Sequence, residues 1–129
     1  MRYLGIDYGT KRVGVALSDE GGTMAFPELV LLNSKDLPKD IASMVKERGV
    51  GEVVLGESLD YNNRPNALMT SISYFKEELE KLIDVPVSYA PEQMSSMAAE
   101  RFQGKSDLSD ASAAAIILQW YLDKKKNSL

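Results

Sequence analysis

Tyr3-Leu4-Gly5-Ile6-Asp7-Tyr8-Gly9-Thr10-Lys11-Arg12-Val13-Gly14-Val15-Ala16 consists of two apolar alternating runs joined by a short turn, with one carboxylate closing the first run. Successive side chains of a strand point to opposite faces, so Leu4 and Ile6 share one face while Tyr3, Gly5 and Asp7 share the other. Asp7 falls at the carboxyl end of that strand, where an apolar strand needs no charge. The turn that follows allows close approach at Gly9, and Thr10 and Lys11 supply donors. Asp-x-Gly is also a common turn sequence, so Asp7 read alone is as much a turn residue as a site. Glycines at 5, 9 and 14 tilt the balance towards a site, because a glycine within a strand often marks a close backbone approach.

Working outward, three strands come first, at residues 2–7, 12–18 and about 24–32, the last two separated by Ser18-Asp19-Glu20-Gly21-Gly22. They form an antiparallel meander. Asn33 and Ser34 offer helix caps, and Leu37, Ile41, Met44 and Val45 recur at helical spacing until Gly49. Residues 52–55 read as a short strand and 56–63 as a polar loop. Pro65 suits a first helical turn, followed by Leu68, Ile72, Phe75, Leu79 and Leu82 on one stripe. Residues 85–90 form another strand and 91–102 a short helix. A final helix over 110–124 turns Ala111, Ala114, Ala115, Leu118 and Tyr121 to the core. The expected architecture is α/β: a five-stranded mixed sheet, its first, fourth and fifth strands parallel, with helices on both faces. At 129 residues the chain is expected to be one domain, 1–129.

Composition narrows the chemistry. The chain has no Cys and no His, which excludes disulfides, thiolate or imidazole metal sites, Cys nucleophiles and His-based triads. A bound metal would need oxygen ligands, which points to magnesium or manganese partnered with substrate phosphates. The net charge of −4 gives no general attraction for nucleic acid, so such binding would be local. Lys11, Arg12, Arg64, Arg101 and Lys105 could gather near the Asp7 turn, whereas Lys124, Lys125 and Lys126 read as a solvated helix end. Tyr8 and Trp120 could stack on bases, although Trp120 on an Ala-rich helix is more ordinarily a packing residue. No leader-like or membrane-spanning run stands out, and a cytoplasmic protein with no membrane partner is expected.

In sheets of this kind ligands sit outside the carboxyl ends of the parallel strands. Those ends converge acids: Asp7, Glu57 or Asp60, Glu92, and Asp110 at the start of the last helix. Several carboxylates in one cleft repel, and a divalent metal is what normally reconciles them. Hydrolysis of a phosphodiester is the chemistry such a set can support. Each acid alone has a plainer role, Asp110 as a helix-start acid and Glu92 as a first-turn residue after Pro91.

Leu4-Gly5-Ile6-Asp7-Tyr8-Gly9-Thr10-Lys11-Arg12-Val13-Gly14-Val15-Ala16, then Ala25-Phe26-Pro27, then Asp110-Ala111-Ser112-Ala113-Ala114-Ala115-Ile116-Ile117-Leu118-Gln119 together resemble the YqgF family, also called RuvX. The resemblance spans nearly the whole chain. It implies an RNase H-like, RuvC-like fold and a nuclease acting on the 5′ end of pre-16S ribosomal RNA in ribosome biogenesis. A Holliday-junction resolvase acting on branched DNA is the other activity implied. It also implies that Asp7, Glu92 and Asp110 are the catalytic acids. On the chemistry of the residues they are expected to hold Mg2+ or Mn2+, with Thr10, Lys11, Arg12 and Lys105 contacting nucleic acid.

Two segments depart from the family pattern. Where the family has Asp-Glu-Arg-Leu-Thr, this chain reads Pro91-Glu92-Gln93-Met94-Ser95, which keeps the acid but loses an arginine that Gln93 cannot replace electrostatically. Where the family has Gly-Leu-Pro-Leu-Asn, this chain reads Gly56-Glu57-Ser58-Leu59-Asp60, so Glu57 competes with Glu92 as the middle ligand. A nucleic-acid or ribosome-binding factor with little catalysis stays open on that ground, either as a monomer or as a homodimer. A resolvase would need a two-fold pair of sites. An actin-like or sugar-kinase ATPase would need two related domains, and this length holds one.

Overall fold

The computed structural model describes residues 1–58, 67–90 and 110–127. Its elements are β1 (Arg2–Tyr8), β2 (Arg12–Ser18), β3 (Ala25–Leu32), α1 (Leu37–Glu47), β4 (Val50–Gly56), α2 (Ala67–Glu80), β5 (Val87–Ala90) and α3 (Asp110–Asn127). The sheet order is β3-β2-β1-β4-β5. β1 pairs antiparallel with β2, and β2 with β3, while β4 runs parallel to both β1 and β5. The expected mixed sheet is therefore present. The expected helix over 91–102 and the expected start of the second helix at Pro65 lie outside the described residues.

The two faces of the sheet are built differently. On one, Leu4, Ile6, Val13, Val15, Val53 and Leu55 are buried beneath Leu37, Ile41 and Val45 of α1 and Ile72, Phe75 and Leu79 of α2. Each fully buried side chain of this kind contributes about 1.5–3 kcal/mol relative to exposure. On the other, Tyr3, Ala16, Val54 and Ala90 meet Ala114, Ala115, Leu118 and Leu122 of α3. Here small residues let backbone approach backbone. A Cβ on Gly5 would lie 2.8 Å from the Leu118 Cβ and 3.2 Å from the Ala114 carbonyl oxygen. Both are closer than ordinary van der Waals contact, so the helix can sit at this depth only over glycine.

Several local expectations are corrected by tertiary contacts. β4 starts at Val50 and ends at Gly56 because Arg2 and Ala90 supply ladder partners at its ends. α2 ends at Glu80, so Leu82, expected on its core stripe, is 49% exposed. In α3 the innermost stripe includes Ala113 and Leu122, while Tyr121 is only half-buried. α1 stops where Gly49 adopts a φ of 63°, a left-handed conformation in which a Cβ is penalised. Its Arg48 carbonyl accepts a 3.0 Å hydrogen bond from Arg2 of β1. Among the described residues, no helix is long and apolar enough to cross a membrane.

Candidate active site

Asp7 is the second-last residue of β1 and stands directly opposite Gly14 of β2. Opposite residues of an antiparallel pair share a face. A Cβ on Gly14 would overlap the carbonyl oxygen of Asp110, the first residue of α3. The missing side chain at 14 thus lets the start of α3 settle on the sheet at the strand position opposite Asp7. The positive end of the α3 dipole favours a carboxylate at Asp110.

Arg12, the first residue of β2, closes the arrangement. Its Nε donates to Asp110 Oδ2 at 2.9 Å, with the arginine side chain 67% exposed and the aspartate 32% exposed. Between Tyr8 of β1 and Arg12 of β2 the turn carries Thr10 and Lys11, both exposed. It is braced from behind: Asn33 Nδ2 donates to the Gly9 carbonyl at 2.7 Å, and the Asn33 backbone N–H donates to the Lys11 carbonyl at 2.9 Å. Asn33 is therefore not the helix cap that its position before α1 suggested. The N-cap of α1 is Asp36, which makes no side-chain capping bond. Tyr8, half-buried, packs on Phe75 of α2 with ring centroids 5.4 Å apart, on the face of the sheet away from α3.

Glu57 follows the last residue of β4, exposed, at the same end of the sheet as Asp7. Among the described residues no three acids lie close enough together to hold a metal ion. Glu92 and Lys105, together with Asp60, Arg64 and Arg101, lie outside the described residues. The Asp7 and Asp110 carboxylates are hard oxygen donors suited to magnesium or manganese. That a cation, the Arg12 guanidinium, already sits on Asp110 is consistent with a place for positive charge.

The far end of α3 holds a polar cluster that reading the sequence missed. Glu52 of β4, its side chain 7% exposed, accepts hydrogen bonds from Tyr121 Oη at 2.7 Å, Ser88 Oγ at 2.9 Å and Lys125 Nζ at 3.2 Å. Burial pushes this carboxyl up, but the Tyr121, Ser88 and Lys125 contacts outweigh it and hold the group below the ordinary carboxylate value. Lys125 also lies over the Tyr3 ring, 5.3 Å from its centroid, so this half-exposed helix-end lysine is held by the sheet as well as solvated. Midway along α3, Gln119 Oε1 accepts from the Ala25 N–H at 2.8 Å and its Nε2 donates to the Thr23 carbonyl at 3.0 Å, tying the helix to the start of β3. α3 is thus fixed at three levels, which determines where Asp110 stands. The only hint of this in the sequence is an acid inside an apolar strand and a glutamine inside an Ala-rich helix.

The family model described as "RuvX: Holliday junction resolvase" matches residues 1–124. A protein of Caldanaerobacter subterraneus named "Putative pre-16S rRNA nuclease" is 34% identical over 99% of this chain and 100% of its own length. One of Bacillus cereus with the same name is 36% identical over 97% of this chain and all of its own. Among solved structures, Thermus thermophilus RuvC in complex with a Holliday junction superposes with a TM-score of 0.64 at 17% identity, covering 99% of this chain and 98% of that one. A second Thermus thermophilus RuvC structure gives 0.58 at 15% identity, covering 98% and 97%. These two likenesses establish a common fold. With a family match over nearly the whole chain and full-length relatives above 30% identity, the chain belongs to the RuvX family.

Proposed function

We propose that this protein is a metal-dependent nuclease that hydrolyses phosphodiester bonds in structured RNA, processing the 5′ end of pre-16S ribosomal RNA in the cytoplasm. The observation that supports the reading is that Gly14, the register partner of Asp7, lies against the backbone of Asp110 at the carboxyl end of a parallel strand, where α/β sheets bind ligands. The names carried by its full-length relatives favour pre-16S RNA as the substrate.

Asp7 and Asp110 would hold Mg2+ or Mn2+, with Glu92 as the third ligand; among the described residues Glu57 does not complete a three-acid group with them. The chemistry the metal supplies when bound is activation of water and neutralisation of charge on the phosphodiester oxygens. The chain's own residues orient and bind. Gly14 lets the start of α3 approach the strand opposite Asp7, Asn33 holds the turn, and Thr10, Lys11, Arg12 and Lys105 would contact phosphates without reading sequence.

The family description favours a second reading, cleavage of four-way DNA junctions by a homodimer. Purified protein assayed with magnesium or manganese on a pre-16S 5′ fragment and on a four-way junction separates the two. Cleavage of the RNA alone is expected. Cleavage of the junction alone would transfer the site to the second reading, and cleavage of neither would remove both.

A further inference from the structure

We propose that Arg12 is a resident cation of the site, exchanged for the metal ion when the ion binds and thereby released to the substrate backbone. This rests on the Asp7–Asp110 reading of the site and adds a coupling between its two ligands. Arg12 is anchored through its backbone, which pairs with Leu32 of β3, so only its side chain can move. That side chain crosses to Asp110 Oδ2, an atom a metal would use, and Arg12 is two-thirds exposed. A guanidinium and a divalent cation drawn to one carboxylate repel, so a metal ion on Asp110 weakens the hold of that carboxylate on Arg12.

The pair is weak enough to exchange. Exposed ion pairs are worth little because solvent screens them and ordering two long side chains is costly. A divalent cation offers the carboxylate twice the charge. Once displaced, Arg12 stands beside Thr10 and Lys11 on the same turn, with a planar fork suited to bidentate contact with a phosphate. Metal binding then presents a phosphate ligand, and phosphate capture of Arg12 leaves Asp110 to the metal. By linkage each ligand tightens the other through the same residue. In the absence of metal, Arg12 neutralises Asp110 and keeps the first turn of α3 against β2.

The test is Mn2+ binding by calorimetry on the full chain, comparing wild type with Arg12→Ala, Lys11→Ala and Asp7→Asn, with far-UV circular dichroism to confirm folding. Arg12→Ala is expected to bind Mn2+ about tenfold more tightly, within the usual range of coupling between sites. Lys11→Ala removes an equal charge from the same turn without vacating Asp110, and should change affinity less than about twofold, as a solvent-screened charge would. Equal tightening by both variants would reduce the effect to general charge and overturn the exchange. So would an Arg12→Ala affinity equal to or weaker than wild type. Asp7→Asn binding Mn2+ as tightly as wild type would instead overturn the site itself. A second readout uses RNA: added Mn2+ should tighten binding of a pre-16S fragment by wild type, and Arg12→Ala should lose that gain and about one unit of salt slope. An undiminished Mn2+ gain in Arg12→Ala would also overturn the proposal.

Discussion

Gly14 of β2 lies against the backbone of Asp110, so that any side chain at position 14 would occupy the place of the Asp110 carbonyl oxygen. Asp7 is the register partner of Gly14, so this contact brings the first turn of α3 to the strand position opposite Asp7. Gly14→Ala should therefore cost about 1–3 kcal/mol, as overpacking against an unyielding backbone does. It should also lower cleavage at least tenfold at temperatures where the variant is fully folded. Gly21→Ala is the control, since a Cβ there meets only the Asp19 Oδ2 at 3.8 Å. Thermal unfolding and single-turnover cleavage of both variants check the pair.

Gln119 ties α3 to β3 through two backbone groups. Replacing it with Ala leaves the half-buried Ala25 N–H without that partner and should cost about 0.5–1.5 kcal/mol, the net worth of an ordinary hydrogen bond. Urea denaturation measures the loss.

Tyr121→Phe removes one donor from Glu52 while keeping the ring contact with Tyr3. About 1–2 kcal/mol of stability should go with it, as the loss of a hydrogen bond to a buried carboxylate costs. The Glu52 carboxyl is held below its ordinary value, so the folded state binds its proton less readily than the unfolded state does. Its contribution is present above the unfolded value and is lost as pH falls through the folded one. Tyr121→Phe should accordingly flatten the acid limb of the stability profile, measured by denaturation at several pH values.

Asp19 organises the β2–β3 turn. Its carboxylate accepts hydrogen bonds from the Thr23 hydroxyl and from the backbone N–H groups of Thr23 and Met24, which lower its pKa from 3.8 to about 2. With the folded value depressed, stabilisation is present above the unfolded value and disappears as pH falls towards 2. Asp19→Asn should be less stable than wild type near neutrality, and the difference should narrow in that acid window. Melting temperatures of the two proteins across that window test this.

Much of the fold was legible because alternation and turn chemistry act locally. Val13, Val15 and Leu17 alternate with Gly14 and Ala16, and β2 has the bounds that this pattern suggests. The ends of β4 were set by partners in other strands, and the end of α2 by the turn after Glu80, neither of which periodicity reports. Asn33 was misread for the same reason. Its polarity before a helix suits a cap, yet the adjacent Gly9 and Lys11 carbonyls decide its use. Lys125 and Glu52 are far apart in sequence, and only packing of α3 on the sheet makes one the partner of the other. Asp7 and Asp110 were singled out from the carboxyl-end rule and the family resemblance. The approach of α3 to the strand opposite Asp7 follows from a glycine whose importance lies in what it lacks.

The central claim is that Asp7 belongs to the reacting centre, and single-turnover cleavage of a pre-16S 5′ fragment by wild type and Asp7→Asn in manganese tests it most directly. The substitution keeps the size of the side chain and removes its charge. A loss of about a thousandfold or more in the folded variant is expected, comparable to removing a key electrostatic group from an active site. Cleavage by Asp7→Asn at the wild-type rate would contradict the account.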